Sequence, residues 1–151
     1  MKILKLRTLR GPNYWSISRH KLVIMRLDLE DLDEKYTSDI PGFYKGLTEV
    51  LPSLVEHCCS PGVKGGFLSR VEKGTLMGHV IEHVALELQQ LARMPVVFGR
   101  TRETSTPGVF QVVMEYENEQ AGRYAARAAV RLCQSIVAVS YTHLRAHETT
   151  L

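Results

Sequence analysis

His79-Val80-Ile81-Glu82-His83 places two imidazoles and a carboxylate within little more than one helical turn. At about 3.6 residues per turn, positions 79, 82 and 83 of a helix share a face. Two histidines at that spacing can hold one Zn2+, and the glutamate between them can act as general base on a water. The order His-x-x-Glu-His inverts the better-known zinc-hydrolase signature. A solvated polar helix face would carry the same residues without any chemistry. Spacing does not identify a third ligand: Glu87, one turn beyond His83, is the nearest candidate, with Glu115, Glu117 and His57 more distant.

The surrounding residues predict the helix that must carry this face. Thr75 reads as its N-cap, and good helix formers continue to about Arg93. Met77, Val80, Ile81, Val84, Leu88 and Leu91 gather into an apolar stripe, with His79, Glu82 and His83 on roughly the opposite, solvent-facing side. Upstream, residues 2–10 and 21–29 read as strands joined through a Gly11-Pro12-Asn13 turn. An acidic loop over 28–39 leads to a helix from Pro41, which Pro52 should kink or divide. Ser60–Gly66 reads as a loop whose glycines permit close approach to a ligand or simply a flexible connection. Strands are predicted over 95–99 and 108–117 around a Thr101–Pro107 turn, and a last helix over 119–136. Arg123, Arg127 and Arg131 align on that helix, where such a row can bind carboxylates, lie in solvent or pack on a neighbouring domain. The order β-β-α-α-β-β-α predicts an α+β fold, helices laid on a largely antiparallel sheet.

At 151 residues, 44% hydrophobic and 23% charged, the chain is that of one globular domain. Its net charge of +3 permits an anionic partner but is too small to point to nucleic acid. Cys58, Cys59 and Cys133 lack metal-type spacing and read as reduced thiols. The amino terminus interleaves charge with apolar residues and does not read as a signal peptide, and no run is long enough to span a membrane. A cytoplasmic location is the expectation.

Residues 2–16, 26–30, 40–44, 51–57, 65–68, 78–88, 98–104 and 120–125 together closely resemble the amino-terminal domain of the cyanophycin synthetases. Gly78–Leu88 matches the family's most recognisable helix, and the resemblance runs from Met1 to about Ala138. It implies an ATP-dependent ligase that builds poly-aspartate and attaches arginine to each β-carboxylate. In the family, ATP and Mg2+ belong to an ATP-grasp domain and a Mur-ligase-like domain that follow this one, neither of which this sequence contains. The resemblance further implies a domain over 1–138 that binds cyanophycin and, in some members, cuts it into primers at a zinc-hydrolase-like site. His79, Glu82 and His83 match that site, Glu82 as the catalytic residue and the two histidines on the metal, while Glu87 is the third metal ligand suggested by spacing alone. Arg100 and Arg102, near the acidic face, would meet the polymer.

From Val139 to Leu151 the resemblance stops, and these residues read as an unrelated tail, disordered or artefactual, on a truncated sequence. His143 and His147 repeat the four-residue spacing there but are assigned no role. A free-standing zinc metallopeptidase and a non-catalytic docking module are the alternatives to the ligase-fragment reading. Homo-oligomerisation is expected, if at all, through the full-length protein.

Overall fold

The computed structural model describes residues 1–15, 21–59 and 62–150. Its main sheet has the order β1 (Lys2–Leu9), β2 (Leu22–Asp28), β6 (Val109–Glu115) and β5 (Gly99–Glu103), with every neighbouring pair antiparallel. The connecting segments form α1 (Phe43–Val50), the short hairpin β3 (Cys58–Cys59) and β4 (Val63–Lys64), α2 (Gly66–Lys73) and α3 (Met77–Leu91). The last element, α4, spans Glu119–Thr150. The α+β class and the antiparallel sheet are as the sequence predicts. Among the described residues, no helix is long and apolar enough to cross a membrane.

The central strands β2 and β6 are buried on both faces. One face sends Val23, Met25, Leu27, Phe110, Val112 and Met114 into the main core against the helices. The other gathers Leu22, Ile24 and Val113 under Trp15. Gly122 lets α4 come close to the sheet, since a Cβ there would lie 2.5 Å from Tyr116 Cβ. Asn118 opens α4 as its side-chain oxygen accepts the Ala121 amide at 2.9 Å.

Pro52 divides the predicted helix: α1 ends at Val50 and a 3-10 turn covers Pro52–Glu56. The predicted loop over 60–66 resolves differently. Ser60 and Pro61 lie outside the described residues, Val63 and Lys64 pair with Cys59 and Cys58, and Gly66 already begins α2. That helix is absent from the sequence reading, and it stops at Gly74, whose φ of +122° favours glycine. Strand β5 lies at 99–103 rather than 95–99. Pro95 has no amide to donate, and the Val97 and Phe98 amides go to the Glu115 carboxylate instead of a ladder.

One further expectation is corrected. Leu76, not Thr75, is the N-cap of α3, because the Thr75 hydroxyl is turned toward His79. Residues 139–150, read as an unrelated tail that is disordered or artefactual, continue α4 as helix. No glycine or proline follows Gly122 in that stretch to interrupt it. Leu151 lies outside the described residues. The three cysteines are free thiols, Cys133 in the core.

Candidate functional site

Helix α3 is buried on nearly all sides, which overturns the solvated face expected for its histidines. Glu82 is 7% exposed, His83 6% and Glu87 3%. The apolar stripe packs into the core through Met77, Val80, Ile81 and Val84, but Leu91 at its end is exposed. What the helical period could not reveal is the cover on the polar side: the 3-10 turn with His57, Phe67 of α2, and β5.

The start of α3 is pinned before its histidines begin. Tyr36 and Leu76 form an antiparallel bridge, and the Thr37 hydroxyl accepts the Thr75 amide at 3.0 Å. The same hydroxyl donates to the Val71 carbonyl at 2.6 Å. Thr75 is thereby held so that its own hydroxyl lies 3.1 Å from His79 Nδ1. His79 and His83 follow with ring centroids 4.8 Å apart and planes nearly perpendicular.

Strand β5 crosses α3 at two glycines. Gly78 on the helix leaves room for Thr101, and Gly99 on the strand leaves room for Glu82. Thr101 then donates its hydroxyl to Glu82 Oε2 at 2.7 Å, with the Gly78 carbonyl as a second acceptor at 3.3 Å. Burial pushes the Glu82 carboxyl up to about 7, against the opposing pull of the Thr101 hydrogen bond and the Arg100 charge. Burial lowers His79 to about 4, helped by the Arg70 charge, and lowers His83 to about 2, helped by His79 and His57. Both rings are therefore neutral at physiological pH, while the carboxyl between them titrates there.

Behind His83 lies a second set of polar groups. His57 Nδ1 is 3.0 Å from His83 Nδ1, and His57 Nε2 is 2.5 Å from Glu87 Oε2. The Ser53 hydroxyl donates to the other Glu87 oxygen. Phe67 stacks on the His83 ring, centroids 4.0 Å apart and planes 15° from parallel. In front of His79 and Glu82 opens a cavity of about 440 Å³, lined also by Cys59, Arg70, Thr101 and Glu103. Burial raises the Cys59 thiol above its ordinary value.

His79, Glu82 and His83 lie side by side on α3, as helical spacing places them. Glu87 is held by Ser53 and His57 and reaches His83 only through the His57 ring. Glu115 is committed to backbone amides, and Glu117 is exposed. Arg100 and Arg102 are exposed on β5, the first 5.9 Å from the Phe98 ring centroid and the second 4.8 Å from that of Trp15. Arg123 bonds to Thr8, while Arg127 and Arg131 face solvent. Ser53, Phe67, Arg70 and Thr101 were not singled out by the sequence, since no motif joins them to α3.

The donors suit zinc in kind, being two neutral imidazoles with a carboxylate beside them. Among the described residues, however, no group of three His, Cys, Asp or Glu side chains is gathered to hold an ion.

The model of the family described as cyanophycin synthase-like N-terminal domain matches residues 24–138. The chain is 74% identical over 137 residues to the cyanophycin synthetase of Crocosphaera subtropica, covering 91% of this chain and 16% of that protein. It is 72% identical over the same length to that of Trichormus variabilis and 69% to that of Geminocystis herdmanii, covering 15% and 16% of them. This chain therefore spans less than a fifth of the length of these relatives.

Proposed function

Because the chain belongs to the cyanophycin synthase-like N-terminal domain family, we propose that it binds an aspartate–arginine polymer and cleaves it internally at Glu82. It would do so as part of a longer cytoplasmic ATP-dependent ligase, with ATP and Mg2+ used in the ATP-grasp and Mur-ligase-like domains. The observation that carries this reading is the buried Glu82 carboxyl, titrating at about 7 between two neutral imidazoles and opening on the cavity. A general base is most effective with a pKa near the working pH.

Each repeat of the polymer presents a carboxylate and a guanidinium. Arg70 and Glu103 both line the cavity and offer the opposite charges. Arg100 and Arg102 extend the cationic side along β5. Glu82 would take a proton from the attacking water and deliver it to the leaving amide nitrogen. Thr101 serves both states: it donates to the carboxylate, and it can turn to the Gly78 carbonyl once Glu82 is protonated. His79 and His83 would hold Zn2+, which when bound supplies a Lewis acid for the carbonyl and a more acidic water.

The test is polymer length after incubation of the protein with cyanophycin, alongside metal analysis of the purified protein. Shortening by wild type and none by Glu82→Gln supports the reading. No shortening with zinc present overturns it. A docking platform without hydrolysis is the second reading, favoured by the lack of a three-ligand group among the described residues. Binding of polymer without cleavage would establish it.

A further inference from the structure

The cavity in front of Glu82 continues past its own wall. A second cavity of about 460 Å³ adjoins it, and Tyr36, Leu76, Glu103 and Phe110 line both. The backbone at this seam is held from several directions. Tyr36 bridges to Leu76, its amide donates to Asp39 Oδ2 at 3.0 Å, and Glu103 pairs with Phe110 in the sheet. Gly74 leaves room beside the seam, since a Cβ there would lie 3.4 Å from Tyr36 Cβ.

Two side chains on this fixed backbone have no use in the fold. Tyr36 is 50% exposed, and Glu103 is exposed beside the same space. Among the described residues, the Tyr36 ring meets no other ring or cation, and the Glu103 carboxylate forms no ion pair. An aromatic face with a carboxylate suits a planar cation, because a guanidinium stacks on the one and bonds bidentately to the other. The cavities also differ in sign. Every charged residue lining the second is acidic, whereas Arg70 lines the first and would repel a cation from it.

We infer that Tyr36 and Glu103 form a specificity subsite that holds a guanidinium side chain of the ligand while the ligand backbone lies over Glu82. This rests on the polymer-cleaving reading of the Glu82 cavity and deepens it by giving the ligand a direction. Carboxylates and carbonyls belong on the Arg70 side, and guanidinium groups on the Tyr36 side. Arginine is favoured over lysine there, since an ammonium is more strongly hydrated and does not stack.

The test uses Nα-acetyl-arginine amide on the metal-free protein, followed by chemical shifts, with Nα-acetyl-lysine amide beside it. Shifts should map to Tyr36, Leu76 and Glu103 and saturate at lower concentration for arginine than for lysine. Tyr36→Leu and Glu103→Gln, both at exposed positions, should each weaken arginine binding roughly 3- to 10-fold. Tyr36→Phe keeps the ring and should bind as wild type does. No binding, shifts confined to other residues, or equal binding of the two amides overturns the inference. So does wild-type affinity in Tyr36→Leu, or a loss in Tyr36→Phe as large as in Tyr36→Leu. Where Tyr36→Leu does not fold, the wild-type shift map and Glu103→Gln decide. The probe needs no metal and holds no polymer linkage. Polymer shortening without a mapped arginine site therefore sinks this inference alone, and a mapped site without shortening sinks the hydrolytic reading alone.

Discussion

Glu82 occupies space that exists because residue 99 has no side chain. A Cβ at Gly99 would lie 2.7 Å from Glu82 Cγ and 2.8 Å from its Oε1, closer than real contacts allow. Strand β5 can cross α3 at this depth only with that atom missing. Gly99→Ala should displace the carboxylate from Thr101 at a cost of about 1–3 kcal/mol. A thermal melt measures the cost, and a Glu82 titration near that of a solvated carboxyl would mark the displacement. An unmoved titration would mean that the strand, not the side chain, gives way.

Hydrolysis, where present, should rise with pH through about 7 as Glu82 loses its proton and becomes a base. Glu82→Gln keeps the shape and removes the base, so the rate should drop roughly 100-fold or more at every pH. The measurement is a pH profile of polymer shortening for both proteins. A variant that retains the wild-type profile would remove Glu82 from the chemistry.

His79 should make the metal-free protein sensitive to acid. Its folded value of about 4 lies below the ordinary 6.5, so the unfolded chain binds the extra proton first. Stability from this group is full above pH 6.5 and declines as pH falls toward about 4. Glu82 acts in the opposite sense: its folded form holds a proton between 4.5 and about 7 that the unfolded chain has released. Denaturant titrations should therefore show a smaller loss on acidification for His79→Gln than for wild type, and a larger loss for Glu82→Gln.

Phe67, fully buried against His83, His57 and His79, should be the least replaceable wall of the site. Phe67→Ala should cost about 3–5 kcal/mol by leaving a cavity under α3. Phe67→Leu should recover much of that stability while losing the stacked geometry. Chemical unfolding of both variants, with the His83 ring shifts beside it, separates the two contributions.

How much of this was legible in the sequence follows from the range of each interaction. The shared face of His79, Glu82 and His83 is set by helical period alone, and Pro52 ends α1 through its missing amide. Strands β1 and β2 were placed to within a residue or two by their apolar runs. Burial of the polar face was not legible, because period says which residues point together but not what covers them. That cover comes from His57, Phe67 and Thr101, which no motif links to α3. Helix α2 was missed because it is only eight residues long and begins directly on the glycines that read as loop. Thr75 has the right residue type for a cap, but its hydroxyl is diverted to His79.

The two walls of the cavity are anchored very differently. His79 and Glu82 stand on α3, whose other side is the core, so its central amides should exchange with solvent deuterium only when the whole domain unfolds. Cys59 hangs on a hairpin of two residue pairs, Cys58 with Lys64 and Cys59 with Val63. Amides in that hairpin should exchange orders of magnitude faster than those of α3. A bulky ligand entering the cavity would then be accommodated by yielding on the Cys59 side, while the titrating carboxyl keeps its place.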